Sequence, residues 1–202
     1  MTLPQNITQI ADPKASQLLT ELRNLSLPPP TVRRLINELT SALAKHIPPP
    51  PTNDPIAVIV VLRSGLSMVD SFISSLPSSV ADTAVIHHLG LFREKHTLGP
   101  VEYYNKLPKK SPAITRAYIL DPLVATGGTA TAAIDIMKDW GVEHVTLFSL
   151  LGSDPGLRAV ASAWPEGTEV VVGAVDKEVD GKGFVKPGLG DIGDRLYGTA
   201  QE

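Results

Sequence analysis

The run Ile56-Ala57-Val58-Ile59-Val60-Val61-Leu62 constrains this chain more than any other segment. It is unbroken, apolar and rich in β-branched residues. Because it does not alternate with polar residues, both faces of the strand it forms must be covered. Such a strand belongs inside a parallel sheet with helices above and below. The chain beyond it repeats the theme. Leu66 to Leu76 reads as a helix, Ala84 to Leu91 as a second strand and Tyr118 to Asp121 as a third. Thr129 to Trp140 reads as a helix ended by Gly141, and Val145 to Leu151 as a fourth strand. Asp154-Pro155 opens another helix, with proline suited to the first turn, and Glu169 to Val175 is a fifth strand. The alternation predicts an α/β fold with a parallel sheet flanked by helices. Val101 to Pro108 is expected to return as a hairpin strand, a small hood on that sheet.

The first part of the chain differs. Lys14 to Asn24 reads as a helix with Leu18, Leu19 and Leu22 inward. A second helix is expected from Val32 to Lys45, with Thr31 as its N-cap and Leu35, Leu39, Ala42 and Leu43 on its apolar face. The proline runs 28–30 and 48–51 read as stiff, extended connectors. With 202 residues, 43% of them hydrophobic, the chain is expected to form one domain. Residues 1–55 would be its helical, proline-rich part and 56–202 its α/β core and C-terminal loop.

Composition excludes several functions. A net charge of -3 leaves no basic footprint for nucleic acid. The absence of cysteine rules out disulfides and a thiol nucleophile and agrees with a cytoplasmic location. The start of the chain lacks the features of a secretory signal, and no apolar run is long enough to span a membrane. The histidines show no metal-ligand spacing.

The chemistry concentrates in Asp121-Pro122-Leu123-Val124-Ala125-Thr126-Gly127-Gly128-Thr129. This segment lies between a strand and a helix, so it reads as an acidic corner followed by a small-residue loop. Gly127, Gly128, Ala125 and Thr126 let backbone N–H groups crowd toward an anion, and the following helix aims its positive end at the same point. Thr126 and Thr129 add hydroxyls. No lysine occupies the loop, so it is not a Walker loop. Arg63-Ser64-Gly65 ends the first buried strand, where a guanidinium can pair bidentately with a diphosphate. Arg93 is a second candidate of the same kind. Near the C-terminus, Lys186-Pro187-Gly188-Leu189-Gly190-Asp191-Ile192-Gly193 formally matches a dinucleotide fingerprint. It lacks the preceding strong strand and the later acid, so exposed backbone recognising a small planar base is the better reading.

Taken together, these pieces resemble the uracil phosphoribosyltransferases. The likeness runs through Ile59 to Asp70, Leu89 to Arg93, Pro100 to Pro108, Asp121 to Thr129 and Pro187 to Arg195, in family order. The resemblance implies a type I phosphoribosyltransferase fold that joins uracil to 5-phosphoribosyl diphosphate, giving UMP and pyrophosphate. It implies that Arg63, Arg93 and Asp191 contact the phosphoribosyl diphosphate and that residues 121–129 hold its ribose and 5-phosphate. Lys186, Gly190, Asp191 and Ile192 would meet uracil largely through main chain, and Mg2+ would arrive on the diphosphate. A homo-oligomer, with a dimer favoured, is implied as well. The chain departs from the family in three places. A β-arm usual between residues 44 and 56 is missing, Lys186 stands where an apolar residue is usual, and Ile192 where a small one is common. These departures suggest an alternative: a catalytically weak relative that binds nucleotides or a partner protein.

Overall fold

The computed structural model describes residues 2–50, 54–94 and 99–199. In chain order the strands are β1 (Ile7–Gln9), β2 (Ile56–Leu62), β3 (Val85–Arg93), β4 (Pro100–Asn105), β5 (Arg116–Leu120), β6 (Leu123–Val124), β7 (His144–Ser153), β8 (Thr168–Asp176), β9 (Glu178–Val179) and β10 (Val185–Lys186). The helices are α1 (Pro13–Leu22), α2 (Pro29–Ala44), α3 (Val69–Ile73), α4 (Ser78–Ala81), α5 (Gly128–Trp140), α6 (Asp154–Ala163) and α7 (Ile192–Tyr197), with a 3-10 turn at Ser64–Met68.

The main sheet runs β1-β8-β7-β5-β2-β3-β4, and β6 adds to β7. All its pairings are parallel except β3 with β4. The apolar run 56–62 is central, between β3 and β5. Alternate side chains serve two cores. Ile56, Val58, Tyr118, Leu120 and Phe148 pack with α1, α2, α3 and the C-terminal loop. Ala57, Ile59, Val61, Ile119 and Leu147 pack with α5 and α6 on the other face. The expected hairpin exists, with Leu89 opposite Asn105 and Phe92 opposite Val101. Among the described residues, no helix is long and apolar enough to cross a membrane.

Two local expectations are corrected. The first proline run does not precede α2 but starts it. Pro28 is the extended N-cap, Pro29 and Pro30 occupy the first turn, and Thr31 lies inside. Proline lacks the N–H that a first turn leaves unpaired, and its φ already suits a helix. The helix expected at Leu66 to Leu76 is split into the 3-10 turn and α3. Gly65 is drawn so close to β5 that a Cβ there would overlap the Leu120 carbonyl oxygen. Strand β1 has no counterpart in the sequence reading. Its three residues gain their place by pairing with Val170 to Val172.

Candidate active site

The carboxyl ends of β2, β5 and β8 open on one side of the sheet, the usual place for a ligand in open α/β folds. Two adjoining cavities lie there. A larger one of about 250 Å³ is lined by Arg63, Asp121, Val185, Gly190, Asp191 and Ile192, among others. A smaller one of about 110 Å³ is the hollow of the loop from Asp121 to Ala130. Asp121, Leu123, Ala125 and Thr129 belong to both.

The small hollow is a backbone structure. β6 pins its near side against Leu151 and Gly152, and the Pro122 carbonyl accepts from the amides of Leu150 and Leu151. Gly127 adopts φ 87°, a left-handed conformation, directly before α5, and no side chain caps that helix. The helix-end N–H groups therefore face the hollow. The far side rests on the start of α6. The Ser153 hydroxyl donates to the Ala125 carbonyl at 2.5 Å and accepts from the Gly156 amide at 2.9 Å. A Cβ at Gly127 would stand 2.6 Å from the Gly156 carbonyl oxygen, and one at Gly156 would overlap that of Ala125. Glycine is required on both sides of this contact.

Asp121 sits at the junction of the cavities and is buried. Burial pushes its carboxyl up to about 7, only partly opposed by the Leu123 N–H that it accepts at 3.5 Å. A carboxylate kept out of water without a cation is costly to ionise. It is therefore poised to respond when positive charge enters the cavity.

Across the cavity, Arg63 follows β2. Its guanidinium donates to Asp194 at 3.1 Å and to Thr199 Oγ1 at 3.3 Å, and it lies over the Tyr197 ring. Half its side chain is exposed, so N–H groups remain for an anion. Arg93 ends β3, and its side chain lies outside the described part of the structure. Asp191 caps α7 by accepting the Asp194 amide at 3.0 Å.

The structure brings Arg63, Gly190, Asp191 and Ile192 to the larger cavity and the 121–129 loop to the smaller one, with Asp121 shared between them. It does not bring the Lys186 side chain there. That side chain is 56% exposed and pairs with Asp180 at 3.2 Å. Alternation along β10 turns the neighbouring Val185 inward instead, and Gly183 and Phe184 line the wall beside it. Ile192 is buried and narrows the same wall. The sequence reading also missed Ser153 and Gly156, the props behind the 121–129 loop. The serine before Asp154-Pro155, in N-cap position, was the available signal.

The mostly parallel sheet flanked by helices is the type I phosphoribosyltransferase fold. An adenine phosphoribosyl transferase from Trypanosoma brucei superposes with a TM-score of 0.53 over 87% of each chain, at 14% identity. The AQ2163 protein of Aquifex aeolicus superposes with a TM-score of 0.84, covering 97% of this chain and all of that one, at 26% identity. Within that class the chain belongs to the uracil phosphoribosyltransferase family, whose sequence profile matches residues 50–199. It is 44% identical to urg2 of Schizosaccharomyces pombe, itself only provisionally named a uracil phosphoribosyltransferase, over 96% of this chain and 91% of that one. It is 37% identical to the Thermus thermophilus uracil phosphoribosyltransferase over 98% of this chain and 89% of that one. The alternative of a weak, non-catalytic relative gains no support from these likenesses.

Proposed function

We infer that this chain transfers the phosphoribosyl group of 5-phosphoribosyl diphosphate to uracil, forming UMP and pyrophosphate. One observation carries the reading: an anion-shaped backbone hollow and a cavity walled by a glycine-rich loop meet at a buried carboxylate. The 5-phosphate occupies the hollow of residues 122–129, held by amides of the first turn of α5 and by Thr126 and Thr129. The diphosphate lies toward Arg63, with Arg93 as its second guanidinium. Uracil lies against the backbone of Gly190, Asp191 and Ile192, beside Val185, so Lys186 contributes no side-chain contact.

Charge dictates the chemistry. Departure of pyrophosphate leaves positive charge on the ribose, and Asp121 is placed to stabilise it. Arg63 holds the leaving anion. Among the described residues no three His, Cys, Asp or Glu side chains cluster as a metal site. Mg2+ would come to this site with the substrate, carried by the diphosphate and keeping much of its water, and would help to neutralise the leaving group beside Arg63. Fixing uracil against the ribose supplies the rest of the acceleration through orientation. The whole chain works as one unit, because α1 and the C-terminal loop share a core. Dimerisation fits the β3–β4 hairpin, which leaves Ile86, Phe92, Val101, Tyr103 and Tyr104 exposed.

The test is direct. Purified chain with uracil, 5-phosphoribosyl diphosphate and Mg2+ should release UMP and pyrophosphate in equal amounts. No UMP from the folded protein would refute the reading.

A further inference from the structure

The base-side wall is held in place from the far end of the chain. Arg23, at the C-terminus of α1, donates to both oxygens of Asp176, at 2.7 and 2.8 Å, and to the Gly188 carbonyl at 2.9 Å. Asp176 ends β8 and is buried, and it also accepts the Gly188 amide at 2.9 Å. Both peptide groups of Gly188 are thus fixed by one ion pair. The next residue is tied as well. Arg195 donates to the Leu189 carbonyl and to the Asn24 carbonyl, each at 2.7 Å. Leu25 closes over Gly190, where a Cβ would approach its methyl group to 3.2 Å. Residues 23, 24 and 25 therefore lie along residues 188, 189 and 190.

Gly188 adopts φ 64°, and a Cβ there would overlap the Val185 carbonyl. The segment has a left-handed turn at Gly188 and another at Gly190. Unsupported glycines of this kind have many conformations to lose. A planar base read by main-chain donors and acceptors needs those groups held to a fraction of an ångström. Arg23 lies outside the matched span 50–199, so nothing in the family match assigns it a part.

We propose that Arg23, acting through Asp176 and supported by Arg195, is a positioning residue that sets the backbone geometry reading the pyrimidine, and so its selectivity. Arg23 does not touch the base. The proposal rests on the uracil reading above.

The experiment uses the full chain with Arg23→Lys, Asp176→Asn and, as a control, Arg34→Ala, whose exposed guanidinium pairs with Glu38 of α2 and Glu21 of α1 but not with the 188–190 loop. Lysine keeps the charge but cannot fork to a carboxylate while also reaching the Gly188 carbonyl. Arg23→Lys should raise KM for uracil about tenfold and erode discrimination against cytosine about as much, with KM for phosphoribosyl diphosphate held within about twofold. Arg34→Ala should change none of these. Amide exchange at Gly188 and Gly190, measured without substrates, should quicken in Arg23→Lys and stay as in the parent in Arg34→Ala. A merely structural arginine would lower the active fraction and leave the ratio of the two KM values alone, and that result would overturn the proposal. Unchanged exchange at both glycines would overturn it too. If Arg23→Lys does not fold, Asp176→Asn carries the same comparison. A parent chain that makes no UMP refutes the function instead, while the exchange data still decide whether the clamp exists.

Discussion

The two adjoining cavities are braced in different ways. The hollow of residues 121–129, the proposed phosphate site, is braced by close backbone packing. Its glycines sit against the start of α6, and one serine hydroxyl closes the contact. The wall of residues 185–192, the proposed base site, is braced by two guanidiniums, Arg23 reaching across from the end of α1 and Arg195 from α7 directly after the loop. A steric device fails abruptly when a side chain is added. A hydrogen-bonded one fails by degrees. The same contrast separates two strand-end aspartates. Asp121, with no cation beside it among the described residues, is pushed up to about 7 by burial, whereas Asp176 is matched by Arg23 and an amide.

The comparison can be broken most sharply at the hollow. Gly127→Val adds a branched side chain at a positive φ and 2.6 Å from the Gly156 carbonyl. Calorimetry should show affinity for phosphoribosyl diphosphate reduced by about 100-fold or more, on the scale of losing several preorganised donors. Wild-type affinity in a folded variant would remove the steric account.

Asp121→Asn separates stability from activity. The folded carboxyl titrates near 7 against 3.8 for the ordinary group. Between those values the folded chain holds a proton that the unfolded chain releases, so parent stability falls as pH rises through this window. Asparagine carries no such dependence. The variant's advantage in urea melts of the substrate-free protein should be near zero below pH 3.8 and reach about 4 kcal/mol above pH 7, at about 1.4 kcal/mol per pKa unit. Its kcat should meanwhile drop about 100-fold. A stability difference that does not change with pH would contradict the uncompensated burial of Asp121.

Arg63→Lys should weaken phosphoribosyl diphosphate binding by about 1.5–3 kcal/mol, the worth of a charge-assisted hydrogen bond. Initial-rate kinetics at varied substrate would reveal it, and unaltered KM would exclude a bidentate role. Lys186→Val is the smallest expected change. Its ammonium pairs with Asp180 away from the cavity, so uracil-over-cytosine selectivity should stay within about twofold. A larger loss would mean that the side chain reaches the base.

The loop of each half was legible in the sequence, at residues 121–129 and 186–193, whereas the distant groups that brace them, Ser153 and Gly156 behind the first and Arg23 and Asp176 behind the second, were not. Glycines between an acid and a helix have few uses, so residues 121–129 announced themselves. The central strand at 56–62 did the same through unbroken apolarity. Arg23 and Asp176 are single polar residues 153 positions apart, and no local pattern marks such a pair. Their signal was indirect: an acid at the end of a buried strand, as at Asp121. Lys186 was read as a main-chain contact; that Val185 is the side chain turned inward beside it was not legible, because β10 is too short to show a period. Thr31 was taken for a cap because a hydroxyl residue followed prolines, although the prolines themselves suit the first turn.

The clamp between residues 23–25 and 188–190 also has a consequence in time. Strand β1 and helix α1 belong to the beginning of the chain, yet their partners, β8 and the base loop, come near its end. Contacts of such long sequence separation require the intervening chain to be ordered or a large loop to be closed. The phosphate hollow is assembled from residues 121–156, close neighbours in sequence. A refolding molecule should accordingly regain its grip on the sugar phosphate before it can choose among bases. During that interval it would hold one substrate while remaining blind to the other.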